Sequence, residues 1–389
     1  MSPRLWLLAS LYFAQGLPFG FFTQAVPVVL REGGASLPLV GASSMLALPW
    51  ALKFLWAPAV DACWSPAVGR RRSWILPLQA LTVSVLLALA AADPTRAIAW
   101  LAAGMFVTSL LASTQDVATD ALAVELVPPA EHGIANGVQV GAYRFGMILG
   151  GSVLLWVYEG LGWAMVFAVM AALVAAASVP VWRWTEPPHR GGGSFALTSV
   201  WRRGLAPWLA ALVAFKLGDA LAASMAKPLL VDAGLSLSQI GTMNGLGGSV
   251  AGMLGALAGG WAAGRVGARP ALLGAGLAQA VGAALWILPS LLGASLPLLW
   301  AACLGEAALG GAGTAVLFMT IMRASRPSHA ATDTTVQACA VVIATGAASA
   351  MGGLLAAAVG YPAHFAASAA LALVGVAPLL MVARPSEDR

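Results

Sequence analysis

The chain has 389 residues, 60% of them hydrophobic and only 9% charged, with a mean hydropathy of +0.86. No soluble domain of that length has enough interior to hide so much apolar surface, which excludes a soluble enzyme or scaffold. The formal net charge of +5 comes without interleaved aromatics or a solvated basic face, which excludes nucleic acid as a partner.

A bilayer-crossing helix takes about 20 mostly apolar residues. Twelve stretches qualify: 5–30, 39–60, 74–92, 97–126, 133–158, 162–183, 205–231, 238–261, 271–289, 297–323, 329–356 and 362–382. In hydrocarbon every backbone polar group is bonded internally, so the predicted class is an all-α polytopic membrane protein. The first stretch is interrupted by Gly16, Pro18 and Gly20 and is too long for a cleaved signal, so it reads as an uncleaved first helix. Between the sixth and seventh lies Thr185–Arg203, polar and rich in Pro and Gly. It reads as a linker (185–204) joining an N-terminal half (1–184) to a C-terminal half (205–389).

The halves align with a shift of about 200 residues: Pro27 with Pro228, Ser36-Leu37 with Ser236-Leu237, Gln79 with Gln279, and Pro129…Gln139 with Pro327…Gln337. A parallel repeat of two six-helix halves resembles the architecture of the major facilitator transporters. If the chain starts inside, 14 of the 20 Lys and Arg fall in cytoplasmic segments, and only Arg31 and Arg96 fall outside. The positive-inside rule then puts both termini in the cytoplasm.

Ionisable groups inside a membrane need a partner or water, and this chain keeps a small set of them. Asp116 and Asp120 lie four residues apart on the fourth span and share a face. Arg144 in the fifth span falls within about 3 Å of the height of Asp116 when both are counted from the turn at Pro129. Two readings stay open: an ion pair that locks two helices, or an Arg144 that grips an anionic solute while Asp116 sets its geometry. Lys216 and Asp219 lie three apart in the seventh span, and they can neutralise each other or serve the solute. Glu306 falls near the middle of the tenth. A carboxyl group at that depth can carry a proton because burial disfavours its charged form; Glu306 is therefore the candidate proton carrier, with Asp219 the runner-up. Gln15, Phe19 and Gln24 on the first span and Gln115 beside Asp116 complete the candidate solute wall. Lys53 and Lys227 fit snorkelling to an interface.

Asp61 ends the second span and Arg70-Arg71-Arg72 opens the third. A carboxylate facing basic residues and a neighbouring helix N-terminus forms a gate latch, with Asp120 assigned to the same gate. The second-half counterpart keeps Arg265 and Arg269 but has Ala263-Gly264 where a carboxylate would fit. Asp333 reads as a dipole partner at the start of the eleventh span. The fifth span, which carries Gly146 and Gly150, is expected to pack on the glycine-rich eighth at the seam between the halves. The three cysteines show no paired spacing, and His132, His189, His329 and His364 fall in loops or at helix ends. No metal site, cofactor or membrane-embedded enzyme is expected.

Several strings resemble the AmpG-like branch of the major facilitator superfamily: Leu11–Gly20, Leu48–Pro58, Thr114-Gln115-Asp116 through Pro129, Gly141–Met147 and Lys216–Ala220. That branch holds muropeptide permeases, acetyl-CoA transporters and siderophore permeases of the RhtX/FptX type. The resemblance implies a proton-driven importer of a small solute in a bacterial inner membrane, working by alternating access. Phe21–Arg31 looks more like the siderophore group, and AmpG-type permeases tend to be longer, so the expected cargo is a siderophore with muropeptide as the alternative. An efflux transporter shares the fold and is a third reading.

Overall fold

The computed structural model describes residues 2–25, 48–91, 98–187, 204–293 and 295–382. Its helices are α1 (Pro3–Gly20), α2 (Leu48–Leu52), α3 (Ala57–Ala62), α4 (Arg72–Ala90), α5 (Ile98–Leu126), α6 (His132–Ile148), α7 (Leu154–Arg183), α8 (Leu205–Asp232), α9 (Leu237–Ile240), α10 (Gly248–Val266), α11 (Ala268–Ala284), α12 (Ile287–Leu292), α13 (Leu296–Ala324), α14 (Ala330–Val374) and α15 (Val376–Val382). π-Turns carry the chain on from α1 (Phe21–Ala25) and link α6 to α7 (Leu149–Val153) and α9 to α10 (Gly241–Gly247). The fold is all-α, as expected from a chain that must satisfy its backbone inside lipid.

Eight helical segments among the described residues are long and apolar enough to cross a bilayer. They do not map one to one on the twelve predicted spans. The last, Pro327–Met381, has 55 residues, or about 82 Å of helix, far more than one hydrocarbon thickness. It breaks at Gly360 (φ 77°), and α7 breaks at Gly162 (φ 75°). The predicted gaps after 158 and 356 fall next to these two glycines. The second span departs from expectation: its described part is broken into α2, a 3₁₀ turn at Lys53–Leu55, and α3. Pro49 and Pro58 remove backbone donors there.

The repeat is written in the backbone. Gly69 and Gly267 both have positive φ, as do Gly162 and Gly360, and each pair is 198 positions apart. The 3₁₀ turns Pro129–Glu131 and Pro327–His329 keep the same separation.

The chain forms two compact units that do not follow the sequence halves strictly. Unit 1 is Met1–Pro128, Ala142–Leu197 and Ser325–Val336; unit 2 is Pro129–Gly141, Thr198–Ala324 and Gln337–Arg389. The start of α6 therefore belongs to unit 2, and the start of α14 to unit 1. The core of unit 1 gathers Leu17, Phe21, Leu86, Leu89, Phe167 and Met170. That of unit 2 gathers Leu230, Met243, Trp286, Leu299 and Phe365, with the Trp286 and Phe365 rings stacked at 5.9 Å.

Lipid gives helices no hydrophobic reason to associate, so close backbone approach carries much of the packing. Gly146 packs on the Phe13 carbonyl and Gly150 on that of Leu17, both in α1. The expected contact of the fifth span with the eighth is made by Gly133 and Gly137 of α6, which meet α10 at Gly260 and Ala256, and not by Gly146 and Gly150. Gly255 and Gly259 of α10 lie against Ala308 and Ala312 of α13.

Candidate functional site: buried charges in each unit

In unit 1, Lys53 is 4% exposed and forms an ion pair with Asp116. The break between α2 and α3 presents it. Its ammonium also lies 5.3 Å from the centre of the Trp50 ring, within cation–π range. Trp50 joins Phe19 and Tyr143 in an aromatic triad, with centroids 5.2 to 5.9 Å apart. All three rings are half-buried. The hydroxyl of Tyr12 donates to Asp120 at 2.8 Å, and Gln15 donates to the Thr119 hydroxyl at 2.9 Å. The Gln115 amide nitrogen and the Gln15 carbonyl oxygen are buried without a partner among the described residues. This corner can hold a negative group at Lys53, stack a flat or ring-shaped moiety on the triad, and hydrogen-bond through the two amides.

Asp116 pairs with Lys53, a partner the sequence reading did not assign to it. Tyr143 belongs to the aromatic triad, and Arg144, one position on, is half-buried. Lys53 is also corrected as a snorkelling residue. Asp120, expected at the gate, lies with Tyr12. The Gln24 side chain lies outside the described residues.

In unit 2, Lys216 pairs with Asp219 and donates to the Thr314 hydroxyl at 3.0 Å. Gly310 leaves room for the aspartate: a Cβ there would stand 2.9 Å from its Oδ1. Glu306 is half-buried on α13, and its charge is felt at Cys303, as is that of Lys227. His364 is fully buried and contacts the Leu221 carbonyl at 3.0 Å, an interior position the sequence did not suggest.

A second charged cluster lies at the loop end of unit 1. Asp61, Arg70 and Arg71 are buried. Arg70 reaches Asp61 at 3.1 Å and Glu125 at 3.0 Å; Arg71 reaches the same two at 2.9 and 2.6 Å. The other oxygen of Asp61 accepts from the N–H and hydroxyl of Thr332 at 2.8 and 2.7 Å, so this carboxylate caps α14. Arg70 also donates to the Ser328 carbonyl at 2.7 Å. Burial pulls Arg70 below its ordinary range, aided by the Arg71 charge and opposed by Glu125 and Asp61. Burial also pulls on Arg71, but Glu125 and Asp61 outweigh it and hold that guanidinium above its usual value.

Sequence reasoning missed Glu125 and Glu186. Glu186 accepts the backbone N–H groups of Arg71 and Arg72 at 3.0 Å, across from Gly69. Arg72 leaves the cluster and donates to the Trp182 carbonyl at 3.1 Å. Asp333 does more than complement a helix dipole: it holds Arg326 through two side-chain bonds at 2.7 and 2.8 Å, and these bonds keep the Arg326 guanidinium above its ordinary range. Arg265 and Arg269 are exposed, and Arg265 lies over the Trp261 ring at 4.0 Å. Most of the expected linker, with Arg190, Arg202 and Arg203, lies outside the described residues, as do Arg31 and Arg96.

An all-helical chain with internal repeats and buried charge pairs in its spans has the build of a membrane transporter. The fold agrees with two solved structures. It is similar to the human organic anion transporter MFSD10, with a TM-score of 0.75 at 18% identity, covering 97% of this chain and 100% of that one. It is similar to the major facilitator superfamily transporter FucP, with a TM-score of 0.72 at 14% identity, covering 98% and 100%. The protein is a multi-pass membrane transporter of the major facilitator fold. Residues 4–97 match the family model described as acetyl-coenzyme A transporter 1. The anhydromuropeptide permease of Escherichia coli K12 is 30% identical over 345 residues, which cover 85% of this chain and 70% of that protein. The chain belongs to the AmpG-like branch of the major facilitator superfamily, the family of that permease.

Proposed function

We propose that the protein imports a muropeptide, a sugar linked to a short peptide, across a bacterial inner membrane by proton-coupled alternating access. Both termini are cytoplasmic, and the halves 1–184 and 205–389 are the moving bodies. The E. coli relative supports muropeptide over the siderophore first expected, and most of Phe21–Arg31, which suggested a siderophore, lies outside the described residues.

The observation that carries the reading is the buried Lys53–Asp116 pair beside the half-buried triad Phe19, Trp50 and Tyr143. A muropeptide offers what that corner takes: a carboxylate for Lys53 and ring faces for the aromatics. Gln15, Gln24 and Gln115 bond its amides and hydroxyls, and Arg144 and Lys216 are further anion contacts. A substrate carboxylate that takes Lys53 competes with Asp116 for that ammonium. Glu306 carries the driving proton, with Asp219 as the alternative. Asp61, Arg70 and Arg71 latch the inward gate.

The test is uptake of labelled anhydromuropeptide and labelled ferric siderophore by vesicles carrying the protein. The muropeptide should accumulate and the siderophore should not. Lys53→Met should cut uptake more than about tenfold, since a charge-assisted contact is worth roughly 1.5–3 kcal/mol. Lys53→Met with Asp116→Asn should restore the melting temperature and leave uptake low. Siderophore accumulation, or normal uptake by the double variant, would sink the assignment.

A further inference from the structure

The loop end of unit 1 closes its charges on themselves, through Asp61 and Glu125 against Arg70 and Arg71. The repeat spacing allows a direct comparison in unit 2. The residues 198 positions after Asp61 and Glu125 are Gly259 and Arg323, and Arg269 stands 198 after Arg71. Both acids are gone while basic residues remain. Arg265, Arg269 and Arg323 are all exposed. None of the three has a carboxylate partner among the described residues.

These groups lie at one end of unit 2. Arg323 donates to the Pro129 carbonyl at 3.2 Å, and a Cβ on Gly264 would stand 4.0 Å from the Ala130 carbonyl. Arg323 and the end of α10 thus flank the same short turn. That turn adds one exposed carboxylate, Glu131, so the three arginines and Glu131 carry a formal charge of about +2 at neutral pH. An apolar stripe leads up to them. Leu254 is 57% exposed and Trp261 is 51% exposed, seven residues apart on one face of α10. Arg265 follows one turn later, over the Trp261 ring.

Exposed apolar side chains that end in a Trp and then in guanidinium groups match the profile of a lipid, from acyl chain to headgroup. We propose that Arg265, Arg269 and Arg323 bind the phosphate of an anionic phospholipid, with its acyl chains along Leu254 and Trp261. The lipid replaces the carboxylates that unit 1 supplies from its own chain.

Native mass spectrometry of the full chain in zwitterionic micelles, titrated with phosphatidylglycerol, measures the binding. Phosphatidylcholine serves as the neutral lipid control and inorganic phosphate as the free-anion control. The wild type should retain phosphatidylglycerol over phosphatidylcholine, and inorganic phosphate should not displace it. Arg265→Gln, Arg269→Gln and Arg323→Gln together should weaken the preference about tenfold or more, at roughly 1 kcal/mol per basic residue. Because all three are exposed, melting in pure phosphatidylcholine should stay at the wild-type value. Glu131→Gln should act in the opposite direction and tighten binding. Wild-type lipid preference in the triple variant, or displacement of the lipid by inorganic phosphate, overturns the assignment.

Discussion

Asp61 serves two guanidinium groups with one oxygen, and the N-terminus of α14 chiefly with the other. Replacing it by Asn keeps the shape and removes the charge, leaving Arg70 and Arg71 to share Glu125. Breaking a buried pair of this kind costs about 3–5 kcal/mol. Asp61→Asn should therefore lower the melting temperature in detergent by several degrees, measured by scanning fluorimetry. Thr332→Val should cost only about 1 kcal/mol, since it removes one hydroxyl bond and keeps the backbone one. An Asp61→Asn variant that melts with the wild type would mean the cluster is not holding α14. Asp61, Arg70 and Arg71 were legible in the sequence because they lie within ten positions of one another. Glu125, Glu186 and Thr332 arrive from distant segments and gave no local signal. Lys53 escaped for another reason: the helix that carries it is broken, so no helical face could be projected from its neighbours. Arg144 matches Asp116 in height by residue count, which fixes height along a helix but not which neighbour a side chain faces.

At the level of helices, glycine spacing marked faces that approach closely but could not name their partners, which is why Gly146 and Gly150 turn out to meet α1. The contacts can be tested with two single-methyl additions. A Cβ on Gly255 would meet the backbone of Ala308, which cannot move aside without shifting α13, whereas Gly274 has nothing within 4 Å. Gly255→Ala should destabilise by about 1–3 kcal/mol. Gly274→Ala should leave the melting temperature unchanged or raise it, since Ala favours a helix by up to about 1 kcal/mol over Gly. Equal melting of the two variants would contradict the packing described. Apolar runs located the long helices well, because length and hydropathy are local properties. They missed the break in the second span, although Pro49 and Pro58 were there to be read.

For the molecule as a whole, orientation and energy source remain as predictions from charge. Cys63 is the exposed cysteine; Cys303 and Cys339 are buried. If the termini are cytoplasmic, a membrane-impermeant maleimide should label Cys63 only from the inner side. Ser295→Cys, placed between the predicted ninth and tenth spans in a Cys63→Ser background, should be labelled only from outside. Reversed labelling would overturn the orientation. The coupling prediction concerns Glu306. Lys216 pairs with Asp219 within α8 and also donates to the Thr314 hydroxyl. Glu306 is half-buried on α13, near the middle of the predicted tenth span. Glu306→Gln mimics the protonated state permanently. It should abolish accumulation of solute against a gradient while sparing downhill exchange, because exchange does not require the proton to leave. Vesicles with an imposed inward proton gradient, with and without protonophore, separate the outcomes. Full accumulation by Glu306→Gln that collapses with protonophore would move the proton to Asp219 or Asp116. Accumulation by the wild type that ignores the protonophore would remove proton coupling from the mechanism.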